Sequence, residues 1–174
     1  MISTGDNFYT NNTKGLYGQD HSGVNSVYDP FWKSKFTNVY TGAGVQLPVY
    51  AVLGNHDYGK YSQANPGFPY AHKSSAAAQI EFSRMKIDPR WNMPDHNFTK
   101  VLRVPGSTEY LEVVFIDTPR LYPAGTPGSA SGNYYNLSAS LVASEAAQHL
   151  AWVNSTIRAS TAKWLLVVGH YHCE

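Results

Sequence analysis

Apolar positions in this chain come in short runs separated by glycine, proline and asparagine, and the spacing inside each run predicts an element. Residues 45–53 are β-prone and break at Gly54, and the run Trp164, Leu165, Leu166, Val167, Val168 breaks at Gly169 in the same way. Residues 1–4 read as the tail of a further strand that stops at the turn Gly5-Asp6-Asn7. Residues 101–104 and 110–116 are expected to form a hairpin around Pro105-Gly106-Ser107. Tyr28, Trp32, Phe36 and Val39 fall close to helical spacing, and Gly42-Ala43-Gly44 is expected to end that helix. A second helix is expected to open at Ser74 and run to about Lys86, with Pro89 just beyond it. A third carries Ala146, Leu150, Val153 and Ile157 on one stripe and leads into the strand at 164–168.

Alternation of strand and helix argues an α/β fold. Residues 10–26, 59–72 and 119–139 are rich in Asn, Gly, Ser, Pro or Tyr and read as loops. No repeat, heptad or abrupt composition shift divides the chain, so residues 1–174 are expected to form one domain.

Composition narrows the class. The chain has 174 residues, of which 43% are hydrophobic, enough for one sizeable core. Charged residues make up only 14%, while 13 Tyr and 4 Trp raise the aromatic share to 14%, a balance that suits an extracellular surface. Lys plus Arg exceeds Asp plus Glu by 13 − 12 = 1, so no strong field favours nucleic acid or an anionic membrane. No run is long enough to span a bilayer, and residues 1–9 lack the character of a signal peptide. Cys173 is the sole cysteine, which excludes a disulfide within the chain. Sequons at Asn11, Asn97, Asn136 and Asn154 are compatible with a secreted glycoprotein.

Candidate chemistry sits where strands break. Asp6 and Tyr9 in Gly5-Asp6-Asn7-Phe8-Tyr9 can converge on one cation if the turn curls back. Asn55 and His56 in Gly54-Asn55-His56-Asp57 follow the second strand, and His170 follows the last. Three strand ends carrying oxygen or imidazole donors suggest one shared rim. The remaining histidines, His21, His72, His96 and His149, have no partner at ligand spacing and are expected at the surface.

These residues, with Arg90-Trp91-Asn92-Met93-Pro94, Phe115-Ile116-Asp117-Thr118 and the stretch 164–171, resemble the purple acid phosphatases, in the tartrate-resistant branch of the calcineurin-like metallophosphoesterases. The resemblance implies a four-layer α/β/β/α sandwich with mixed sheets, of which this chain supplies a part. It implies a binuclear centre, Fe(III) plus a divalent Fe, Zn or Mn ion, that hydrolyses phosphate monoesters, small or protein-borne. By resemblance Asp6 bridges the two ions, Tyr9 binds the ferric ion as a tyrosinate, and Asn55 binds the divalent one. His170 also binds the divalent ion if Val167-Val168-Gly169-His170 matches the family's VxxH motif, although Gly169-His170-Tyr171-His172 also looks like its GHxH pair. We favour the first, which leaves His172 without a role. His56 is implied to bind phosphate and to protonate the leaving oxygen. Asp57 and Tyr58 fit a packing role, or a contact behind the ligands, better than direct ligation, and Asp117, to which the resemblance gives no ligand role, is expected to be structural. The implied DxG aspartate would lie before Met1 and the GHxH pair after Glu174, so the chain is expected to be an incomplete domain of a secreted or lysosomal parent. Two alternatives stay open, a catalytically silent metal- or phosphate-binding glycoprotein and a sibling phosphodiesterase or nucleotidase on the same fold.

Overall fold

A computed structural model of the chain describes residues 1–8, 23–58, 76–121 and 139–171, with backbone alone for 139–143. The first sheet contains β1 (Ile2–Ser3), β2 (Val49–Ala51) and β3 (Trp91–Asn92) in that order, all parallel. The second contains β4 (Phe98–Arg103), β5 (Tyr110–Phe115) and β6 (Trp164–Val168). There β4 and β5 form the expected antiparallel hairpin, and β6 joins β5 in parallel, from Leu111 against Trp164 to Phe115 against Val168. Helix α1 (Ala76–Arg84) covers the first sheet and α2 (Ala139–Ala159) packs on β5 of the second. The result is a helix, sheet, sheet, helix stack with one parallel and one mixed sheet.

Strand β2 shows why the sheets stack. Successive side chains of a strand point to opposite faces. Val49 and Ala51 enter the core beneath α1, while Tyr50 and Val52 enter the core shared with Val113, Phe115 and Val168 of the second sheet. Phe98 stacks on Phe115 at 4.5 Å, and Tyr50 lies 5.9 Å from the same ring.

The core under α1 is aromatic. Trp32 stacks on Phe82 at 3.6 Å and meets Phe8 and Trp91 edge-on at 4.7 and 5.3 Å. Arg90 closes this core at its rim. Its guanidinium lies 5.1 Å from the Phe36 ring, bonds the Tyr40 carbonyl, and pairs with Asp88 at 2.5 Å. The hydrogen bonds from Arg90 hold the Asp88 carboxyl below its ordinary value.

Several expectations need correction. The helix expected around residues 28–39 is a π-helix limited to Trp32–Thr37; Trp32 and Phe36 are buried, but Tyr28 is 82% exposed and Val39 is exposed. Strand β2 is shorter than residues 45–53, because Ala43–Val45 closes a 3₁₀ turn first. Helix α2 keeps only part of the expected stripe, since Ala146 and Val153 are half-buried but Leu150 and Ile157 are exposed while His149 is buried. Strand β6 has four exposed apolar residues, Trp164 to Val167, and lies at the sheet's edge among the described strands. The loop expectations at 10–22, 59–72 and 122–138 lie outside the described residues. No helix among the described residues is long and apolar enough to cross a membrane.

Trp32→Ala removes the ring on which three other aromatics meet, and should destabilise the fold by about 3–5 kcal/mol. Urea unfolding followed by tryptophan-independent far-UV circular dichroism measures this.

Candidate metal centre

Parallel pairing aligns the ends of β1 and β2, so the turns after them lie side by side. The amide of Val52 donates to the Ser3 carbonyl at 3.1 Å, which carries the pairing up to those turns. Each turn opens on a glycine, and crowding explains why. A Cβ on Gly54 would lie 2.2 Å from Asp6 Oδ1 and 2.3 Å from the Asp6 amide nitrogen. Gly5 has φ +97° and abuts the Gly54 backbone and His170 Nδ1, while Asp6 itself has φ +53°, an uncommon conformation for a side-chain-bearing residue. Backbone held there has a local energetic cost, and such positions concentrate at functional sites.

A buried carboxylate fastens the two turns together. Asp57, fully buried, accepts from the amides of Gly54 (2.8 Å) and Asn7 (3.0 Å), from the Asn7 side chain (3.2 Å) and from Gln79 Nε2 of α1 (2.8 Å). Asn7 also donates to the Val52 carbonyl at 2.8 Å. Burial pushes the Asp57 carboxyl up to about 6, against the pull of the hydrogen bonds from Gly54, Gln79 and Asn7. The bracing role of Asn7 was not foreseen from sequence. Its signal was only its place in the turn.

Three of the expected ligands meet. The His170 ring lies with Nδ1 2.9 Å from the Thr4 carbonyl oxygen, Nε2 3.0 Å from Asn55 Oδ1, and Nε2 3.5 Å from Asp6 Oδ1. A carbonyl can only accept, so Nδ1 carries hydrogen and a neutral ring presents the Nε2 lone pair to two oxygens. A metal cation shared by the two oxygens and the Nε2 lone pair satisfies these contacts; without one, a proton on Nε2 serves Asp6, or the Asn55 amide turned to present Nδ2–H serves Nε2. Atoms bound at about 2.1 Å to one ion sit roughly 3.0–3.4 Å apart, so these separations fit a shared cation. Asn55 contributes a neutral oxygen, which limits the negative charge of the set. The His56 amide donates to Asp6 Oδ1 at 3.0 Å, and the residue is half-buried. Tyr9, expected as the tyrosinate ligand, lies outside the described residues, as does His172. Among the described residues no three His, Cys, Asp or Glu side chains gather as a metal site, because the third donor here is an amide.

A second polar group lies behind the rim. Fully buried Asp117 takes the Tyr58 hydroxyl and His96 Nδ1 (2.8 Å) on Oδ2, with Arg120 Nε 3.6 Å away. Burial, then the Asp117 charge, holds the Tyr58 phenol well above its ordinary value, so it stays a donor. Arg120 reaches within 3.2 Å of Glu145 on α2 without hydrogen-bond geometry. His149 is buried beside this group, and its Nε2, like Asp117 Oδ1, has no hydrogen-bond partner among the described residues. His96 and His149 were both expected at the surface. Asp117, distant in sequence, pairs with His96, whereas His149 is buried near it with Nε2 unbonded among the described residues.

The model of the family described as calcineurin-like phosphoesterase matches residues 1–174. The chain belongs to that family. Among curated relatives it is 29% identical over 172 residues to purple acid phosphatase 3 of Arabidopsis thaliana and 31% identical over 175 residues to purple acid phosphatase 17 of the same plant. Each alignment covers 98% of this chain but only 38% and 41% of the relative, so the chain spans about two fifths of the length of the proteins it matches. A solved structure described as GAP50, the anchor in the inner membrane complex of Plasmodium, superposes with TM-score 0.58 at 20% identity, over 97% of this chain and 43% of that one. That likeness supports the metallophosphoesterase fold.

Gly54→Ala forces a methyl group into Asp6 and should destabilise the chain by about 1–3 kcal/mol, measured by thermal unfolding. Burial holds the His149 imidazole below its ordinary value of 6.5, opposed by Asp117 and assisted by Arg120 and His96. As pH falls through 6.5 the unfolded chain therefore takes up this proton first, and stability falls. Asp57 acts with the opposite sign, since the native state keeps its proton up to about 6 and the unfolded chain releases it near 3.8. Unfolding free energy compared at pH 7.5 and 5.5 should consequently fall less, or rise more, in His149→Gln than in the parent chain.

Proposed function

We propose that this family member hydrolyses phosphate monoesters at a metal centre built on Asp6, Asn55 and His170, with Tyr9 as a further ligand. The observation that carries the reading is the approach of Asn55 Oδ1 (3.0 Å) and Asp6 Oδ1 (3.5 Å) to His170 Nε2, at the ends of strands from both sheets. Similarity to purple acid phosphatases over nearly the whole chain supports the monoester and the Fe(III)-plus-divalent pairing in preference to a diesterase.

When bound, metal cations would activate water and neutralise charge on the phosphoryl oxygens. The chain's own residues supply the rest. The Thr4 carbonyl fixes the His170 tautomer so that Nε2 faces the other donors, as an acceptor behind a ligating imidazole usually does. Asp6 is held by the His56 amide on the oxygen that faces His170. The His56 imidazole is suited to hydrogen-bond a phosphate oxygen and to give a proton to the departing alcohol. With a net charge of +1 the chain has no global field for polyanions, so recognition is local and the substrate is a small or side-chain phosphate.

A non-catalytic cation binder is the competing reading, favoured by there being only three described donors, one of them neutral. Calorimetry with Mn²⁺ and hydrolysis of p-nitrophenyl phosphate separate the two. The first reading expects metal-dependent turnover that drops about 100-fold in His56→Ala with little change in Mn²⁺ affinity. It also expects Mn²⁺ affinity to fall at least about 10-fold in His170→Ala and in Asn55→Ala. Binding without turnover supports the second reading, and unchanged affinity in both ligand variants excludes each.

A further inference from the structure

The dipeptide Asp117-Thr118 follows β5 and touches the turns that carry donors from both sheets. The Ile116 amide donates to the Val168 carbonyl at 2.9 Å, so β5 and β6 stay paired up to the last residue of β6. Just beyond it, Thr118 Oγ1 accepts two amides, His170 N at 3.0 Å and Tyr171 N at 2.8 Å. Gly169 leaves room for this approach: a Cβ there would lie 2.6 Å from Thr118 Cγ2. On the other side Asp117 accepts the hydroxyl of Tyr58, the last residue of the turn Asn55–Tyr58. Arg120 Nε donates to the same Tyr58 oxygen at 3.2 Å, so this end of the turn is held twice.

Asn55 and His170 are thus 115 residues apart in sequence, yet each hangs from a neighbouring residue of one dipeptide. Neither Asp117 nor Thr118 lies among the three donors. We propose that Thr118 is a positioning residue of this centre: its hydroxyl fixes where the His170 ring meets Asn55 and Asp6, while Asp117 fixes the Asn55 turn. The inference rests on reading Asn55 and His170 as cation ligands. Losing a hydrogen-bond partner behind a ligand typically costs 10–100-fold in metal affinity, and Thr118 acts on the ligand's backbone to the same end.

Thr118→Val keeps the methyl that abuts Gly169 and puts a methyl in place of the acceptor, and Thr118→Ser keeps the acceptor. In the metal-free chain, a nuclear Overhauser contact between the His170 ring and the Asn55 side-chain amide reports the geometry directly. Thr118→Val is expected to lose that contact and to bind Mn²⁺ about 10–100-fold more weakly, with Thr118→Ser within about threefold of the parent. Retention of the contact in Thr118→Val, or equal damage from Thr118→Ser, overturns the proposal. If the parent shows the contact but takes up no Mn²⁺, the metal reading fails while the contact still decides the role of Thr118. Should Thr118→Val not fold, Thr118→Ala decides instead: the proposal requires the same loss of the contact between His170 and Asn55, and its retention overturns it. Tyr58→Phe tests the Asp117 side separately, and retention of the contact there overturns the role given to Asp117.

Discussion

The buried Asp57 carboxylate is the constraint on which this architecture turns. Two turns that leave neighbouring parallel strands each present backbone N–H groups with no strand partner, and buried donors left unmatched are costly. One carboxylate gathers the Gly54 and Asn7 donors and a side-chain amide from α1, tying the first sheet's turns to the helix that covers it. Its cost is desolvation, visible in a carboxyl held near 6. Its gain is that Asp6 and Asn55 start from a fixed frame.

From that frame the donors are brought together by backbone contact more than by side-chain attraction. Gly5 and Gly54 approach so closely that no side chain fits between the turns. His170 comes from the other sheet, and its ring is aimed by a carbonyl of the first. The donor cluster therefore sits where the two sheets meet. The shared core of Tyr50, Val52, Phe98, Val113, Phe115 and Val168 lies beneath it and fixes their separation.

The donor set offers a cation two oxygens and an imidazole nitrogen. Without a cation the Asn55 amide, turned to present its N–H, can hold the same contact with His170. Near the end of β5 the polarity is arranged differently: Asp117 is surrounded by a phenol, an imidazole and a guanidinium, so that group carries its own positive charge. One cluster is suited to receive an ion, and the other to hold structure behind it.

Local chemistry was legible in the chain itself. The strand breaks at Gly5, Gly54 and Gly169 followed by Asp6, Asn55 and His170 could be read because glycine-turn signals and donor types are properties of a few consecutive residues. The hairpin, α1 and the strand at 164–168 were legible for the same reason, since period and turn residues lie within each segment. What could not be read was which face each helix turns inward. Helix α2 buries His149 and exposes Leu150, with the histidine placed near Asp117 and Arg120, some thirty positions away, which no local pattern in the helix announces. The bracing by Asn7, Gln79, Asp117 and Thr118 was likewise set only by tertiary packing, because a hydrogen-bond partner across two strands leaves no periodic trace in the sequence. The sequence determined the donors and the turns that bear them; the distance between the donors was decided by the stacking of two sheets.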